Sequence, residues 1–187
     1  MMDEPASSIP GQGASFELTG LSLDIEIIET CLGDGDWESV VRAAVYAALE
    51  AGLTGPLPPA ELYVELVGND QSRELNCDYR GKDTPTNVLS FPGVEPDDLP
   101  DAMKLSAKGG PPVMLGDLIV ADAIVVKEAA EQRKSSKDHL THLIVHGVLH
   151  LLGYDHISDD DAEEMEALER EILAKMGIRD PYEADEI

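Results

Sequence analysis

From Leu21 to Ile28 (LSLDIEII) apolar and polar residues alternate, the period of a strand with one face on a core. Past Asp36 the period lengthens. Val40, Val41, Ala44, Val45, Ala48 and Leu49 share one side of a helix from about Trp37 to Ala51, with Asp36 as N-cap and Gly52 and Gly55-Pro56 at its end. ELYVELVG (Glu61–Gly68) predicts a second strand, and a short helix opens at Asp70 and runs to about Tyr79. Arg80–Asn87 is a loop and VLSFP (Val88–Pro92) a third strand. Residues 93–112 are rich in Pro, Gly and Asp without periodicity, which predicts a long loop, mobile or functional. VMLGDLIVA (Val113–Ala121) is a fourth strand, apolar enough to be buried. Three helices follow. The first runs from Asp122 to about Lys134. The second is capped by Ser136 or Asp138, runs to about Leu152 and is stopped by Gly153. The third is amphipathic, from its cap Ser158 to about Met176, with Gly177 beyond.

Strands come early and helices late, and no segment repeats. The expectation is a single α+β domain over residues 21–187, with a small mixed sheet of about four strands flanked by about five helices. Residues 1–20, rich in Pro, Gly and Ser, read as a flexible N-terminal tail.

Composition narrows the function classes. The N-terminus has neither a basic nor an apolar leader region, and no stretch reaches the ~18 apolar residues of a membrane span. Cys31 and Cys77 form no CxxC pair and read as free thiols of a reducing compartment. A cytoplasmic protein is expected, with no membrane or DNA partner. The net charge of −25 repels polyanions at long range and favours solubility. Nine of the thirteen bases lie between Arg73 and Lys137, so any polyanion-binding groove draws on Arg73, Arg80, Lys82, Lys104, Lys108, Arg133, Lys134 and Lys137.

All five histidines fall in HLTHLIVHGVLHLLGYDH (His139–His156). His146 and His150, four apart on a helix, share one face and can grip one divalent ion. On a continued helix His156 would stand ~9 Å beyond His150, out of reach of that ion. Gly153 permits a left-handed turn that brings it back, so the site sits at the end of a helix. Imidazoles suit zinc, copper, iron or nickel. Three protein ligands leave a fourth position open, the catalytic type of zinc site, where a bound water becomes acidic with a pKa of ~7. A fourth protein ligand would close the site, so His142 reads as a supporting residue and His139 as a surface one. The spacing is similar to that of metzincin peptidases, whose general-base Glu follows the first histidine. Here that position is Gly147, which argues against peptide hydrolysis by their mechanism.

Arg80 beside Lys82 in a loop is either a phosphate-holding fork or a surface arginine paired with Asp83 or Asp78. Asp117 in an apolar strand calls for a partner, and Asp155 either orients a histidine ring or caps a turn. Thr84 to Asn87 are turn formers suited to the mouth of a site.

HGVLHLLGYDH (His146–His156), with LNCDYRGKDTPTNVLSFP (Leu75–Pro92), LGDLIV (Leu115–Val120) and the acidic helix after His156, resembles the YbeY family of bacterial endoribonucleases from about Leu21 onward. That resemblance implies a helix-flanked sheet of about four strands and one zinc ion on His146, His150 and His156. It also implies hydrolysis of single-stranded RNA, with Arg80 needed for activity. The biological setting it implies is ribosomal RNA processing, including 3′-end maturation of the small-subunit rRNA, and ribosome quality control, with the ribosome or its associated proteins as partners. Two other readings stay open: a metallopeptidase-like hydrolase, and a non-enzymatic ribosome-assembly protein with a structural metal.

Overall fold

The computed structural model describes residues 20–28 and 30–183; the predicted tail, apart from Gly20, lies outside the described residues. In chain order the elements are β1 (Leu21–Ile27), α1 (Trp37–Gly52), β2 (Ala60–Val67), α2 (Asn69–Arg80), β3 (Val88–Pro92), α3 (Leu99–Ala107), β4 (Val113–Ala121), α4 (Asp122–Glu131), α5 (Ser136–Leu151) and α6 (Asp159–Lys175). The sheet has four strands in the order β1-β2-β4-β3. β1, β2 and β4 run parallel, and the edge strand β3 is antiparallel to β4. This is the expected mixed sheet of an α+β protein, with six helices among the described residues rather than about five.

The sheet's two faces follow from alternation. Leu62, Val64 and Leu66 of β2 and Leu115, Leu118 and Val120 of β4 meet the buried face of α1 (Val41, Ala44, Val45, Ala48, Leu49) and the apolar residues of α5. The outer face carries a smaller cluster of Val67, Leu89 and Ile119, closed by Tyr63, Leu75 and Phe91. The β2–β4 register slips between Glu61 and Leu62, where Leu115 is the extra residue. Gly116 sits there at φ +132°, and a Cβ on it would meet the Phe91 carbonyl oxygen at 2.2 Å. Beyond this bulge Asp117 points outward and is exposed, so the partner expected for a buried carboxylate is not required.

α5 organises the molecule. It starts at Ser135, whose hydroxyl accepts from the Asp138 amide, one residue before the expected cap. Asp36 and Ser158 cap α1 and α6 as expected. α5 lies against α1, α4, α6 and both β3 and β4, so even two of its polar residues, His139 and Thr141, are buried. The burial of His139, with Nε2 2.8 Å from Glu128 Oε2, corrects the surface reading. The long segment 93–112 is likewise not a bare loop. Within it α3 sets Leu99, Ala102, Met103 and Ser106 at helical spacing against the core, and the buried Ser106 hydroxyl donates to the Pro59 carbonyl (2.9 Å). No helix among the described residues is long and apolar enough to cross a membrane.

Candidate metal centre

α5 ends as the glycine predicts. Gly153 takes φ +94°, its amide and that of Tyr154 return to the carbonyls of His150 and Leu149, and the chain reverses. His156 thereby comes back towards His146 and His150, and one ring nitrogen of each lies within 4.8 Å of the others. The rings meet edge-on or stacked, with centroids 4.5 to 5.7 Å apart.

Their tautomers follow from their partners. His146 Nδ1 is 2.7 Å from Glu169 Oε1, and His150 Nδ1 is 2.9 Å from the Tyr154 carbonyl oxygen. Both partners only accept, so both Nδ1 atoms carry a proton, and in the neutral rings both Nε2 atoms present a lone pair. The two Nε2 atoms stand 3.0 Å apart. Burial, then the neighbouring His146, pushes the His150 imidazole below its ordinary pKa, so a proton is poorly held there. Repulsion between the lone pairs is relieved by a cation shared between them. At Zn–N distances of ~2.0–2.1 Å, two nitrogens on one ion stand roughly 3–3.5 Å apart, so the observed pair fits one ion.

Glu169 is the residue that sequence reasoning missed. It is fully buried on α6 and accepts from three groups: His146 Nδ1, His142 Nε2 at 2.8 Å, and the Tyr182 hydroxyl. Burial alone would raise its pKa, yet those hydrogen bonds hold it at about 2, so it is a carboxylate. The signal was available. Met165, Glu169, Ile172 and Leu173 share one stripe of α6, and Glu169 is its only charged member. His142 stays out of the metal-facing trio and braces Glu169 instead, in line with a supporting role.

The three histidines open into a cleft of about 450 Å³ whose walls include Arg80, Thr86, Asn87, Ser90, Pro96 and Asp155. Arg80 arrives from the last turn of α2, before the left-handed Gly81. Two buried side chains of α2 pin the loop behind it. Asn76 donates to the Thr84 carbonyl (2.7 Å), while Ser72 donates to the Thr86 carbonyl (2.8 Å) and accepts from its amide (3.0 Å). Asn87 is held by Glu128, the acid that also holds His139. Neither suggested partner takes Arg80. Asp83 pairs with Arg73 at 3.7 Å, and the Arg80 guanidinium has no ion pair among the described residues. Asp155 turns to its own chain, accepting from the His156 amide at 2.7 Å, so it shapes the turn and orients no ring. The expected basic residues do not gather on this cleft. Of the eight only Arg80 lines it, while Arg133 and Lys134 line a separate cavity by the start of α5.

Gly147 faces the sheet. A Cβ there would lie 2.8 Å from Leu118 Cδ2 and 3.3 Å from Ser90 Oγ, so the helix backbone rests directly on β3 and β4. The position where metzincins carry their base thus has no room for a side chain. Gly147→Ala is expected to destabilise the fold by about 1–3 kcal/mol through overpacking against fully buried Leu118. Urea unfolding would read this as a lower midpoint at unchanged slope, and an unchanged midpoint would contradict the close contact.

The class that emerges is a single-domain α+β hydrolase whose histidine trio can hold a metal ion. The sequence model of the family described as "Endoribonuclease YbeY" matches residues 29–177. Curated relatives carry the same description. The protein of Rhizorhabdus wittichii is 50% identical over 151 residues, 79% of this chain and 88% of the relative. That of Alkalilimnicola ehrlichii is 47% identical over 166 residues, 89% and 93% of the two chains. That of Chromohalobacter salexigens is 57% identical over 122 residues, 65% and 72%. The solution structure of TM1509 from Thermotoga maritima is 25% identical with a TM-score of 0.49, covering 87% of this chain and all of that one. The chain belongs to the YbeY family of endoribonucleases.

Proposed function

We propose that this chain hydrolyses phosphodiester bonds of single-stranded RNA in the cytoplasm, with one zinc ion on His146, His150 and His156 and with Arg80 on the substrate phosphate. Its role on this reading is ribosomal RNA processing, including small-subunit 3′-end maturation, and ribosome quality control, with the ribosome or its associated proteins as partners. The observation that carries the chemistry is the pair of Nε2 atoms 3.0 Å apart in a cleft shared with the Arg80 guanidinium, which bears no ion pair among the described residues. Family membership supports the RNA substrate and the ribosomal setting.

When bound, zinc supplies Lewis acidity and lowers the pKa of a water towards ~7. The chain's own residues do the rest. Glu169 and the Tyr154 carbonyl hold both helical imidazoles with Nε2 facing inward. Arg80 offers two parallel N–H donors to phosphate oxygens and neutralises the charge that builds as the bond breaks. Asp155, the one carboxylate on the cleft wall among the described residues, gives Oδ1 to the His156 amide and keeps its other oxygen to take a proton from the attacking group. The attacking group is a water or the RNA's own 2′-hydroxyl.

The test joins metal analysis of the purified chain to cleavage of end-labelled single-stranded and duplex RNA. One zinc per chain and internal cuts in single strands only are expected. A zinc-loaded chain that leaves single-stranded RNA intact would overturn the reading. A 2′,3′-cyclic phosphate on the product would rule out direct attack by water.

A further inference from the structure

Tyr79 is 69% exposed, yet its ring has a fixed neighbour: it packs on Phe91 with centroids 4.5 Å apart and planes tilted by 56°. Both residues adjoin the histidine cleft in sequence. Tyr79 directly precedes Arg80, and Phe91 lies between Ser90 and Pro92, all three neighbours being part of the cleft wall. Successive side chains of a strand point to opposite faces, so Phe91 emerges on the far side of β3, with Leu75 and Tyr63. β3 is an edge strand. Around that edge the cleft-facing side of β3 passes directly into the side that carries the aromatic pair.

Charge makes this pair matter. The chain carries −25, and of its thirteen bases Arg80 alone lines the cleft. Arg73 is paired with Asp83, Lys104 with Asp101, and Lys134 donates to the Pro181 carbonyl. Counterion release, the usual source of nucleic-acid affinity, has few cations here to act through. A single-stranded ligand must then be held by contacts that need no net charge. Aromatic faces supply these, because every nucleobase stacks on them.

We propose that Tyr79, braced by Phe91, is the stacking platform for the nucleobase flanking the phosphate held at Arg80. The strand leaves the cleft over the β3 edge and lays that base on the exposed tyrosine face. This rests on the reading of the cleft as a ribonuclease site and gives that site a positioning residue. Phe91 sets the tilt of the ring, and the tyrosine hydroxyl is dispensable.

The experiment is steady-state cleavage of a short single-stranded RNA by the intact, zinc-loaded chain. Tyr79→Ala raises KM by about 10-fold and leaves kcat within roughly twofold, while Tyr79→Phe and Tyr79→Trp keep KM near the wild-type value. Abasic nucleotides placed one at a time around the cut raise KM equally at one position in the wild type and add nothing there in Tyr79→Ala. The salt dependence is shallow, a log–log slope of about −1 in both proteins, because few phosphates are neutralised. In an enzyme that cleaves RNA, an unchanged KM in Tyr79→Ala, or a loss confined to kcat, sinks the platform. A wild type that cleaves no RNA sinks the ribonuclease reading and the platform with it.

Discussion

Arg80→Ala is expected to lower kcat/KM for single-stranded RNA by about 10²–10³-fold, the range for removing a donor that stabilises charge in the transition state. The loss should leave fold and metal intact. Arg80 is exposed, bears no ion pair among the described residues, and is the last residue of a helix whose buried anchors, Ser72 and Asn76, are untouched. Circular dichroism and metal content should therefore match the wild type. Arg80→Lys keeps the charge but loses the planar fork, so it should recover only part of the rate. This variant also separates the enzyme from a ribosome-assembly protein with a structural metal. A folded, metal-bound Arg80→Ala chain with full activity would mean that the guanidinium holds no phosphate.

Glu169→Ala carries the second large effect, and it strikes stability and metal together. Three donors lose their only carboxylate in a fully buried position, and a cavity opens between α5 and α6. A loss of about 3–5 kcal/mol follows from breaking a buried charged network. Glu169→Gln preserves volume and separates the two effects. The amide cannot accept from every donor that the carboxylate serves, so the His146 ring loses its fixed orientation. Zinc affinity is then expected to fall about 10–100-fold, as for other residues that support a metal-ligating histidine. A competition titration against a chromogenic chelator reads the change. Unaltered zinc affinity in a folded Glu169→Gln chain would show that His146 needs no anchor.

The elements that sequence reasoning placed well are those whose burial is one-sided. β1, α1 and α6 show their periods plainly because one face meets solvent, and Asp36 and Ser158 mark their starts. The histidine trio was legible for a similar reason: spacing and Gly153 are local facts. What escaped was set by tertiary contact. α3 has a polar residue, Ser106, at the last of its four core-facing positions, because that hydroxyl has a carbonyl from β2's approach to bond. His139 was placed at the surface because polarity usually means exposure, whereas Glu128 reaches it from α4. Asp117 was expected to find a partner, but the bulge at Leu115 and Gly116 turns it outward. Glu169 lay hidden among the acids of α6, and only the packing of α6 on α5 shows that this one faces inward. Of the clustered bases, only Arg80 reaches the histidine cleft.

The three histidines also differ in how firmly each is anchored. His146 and His150 belong to the most deeply covered helix, whose backbone opens to solvent only when the core does. His156 is exposed, in a turn beside Ile157, which is 86% exposed. If the trio holds an ion as proposed, local opening of residues 153–157 would release His156 while His146 and His150 stay in register. Exchange of a bound ion with the medium therefore needs no unfolding of the domain. Under the proposed binding, its rate would be set by the turn, and its affinity by the buried carboxylate behind the His146 ring.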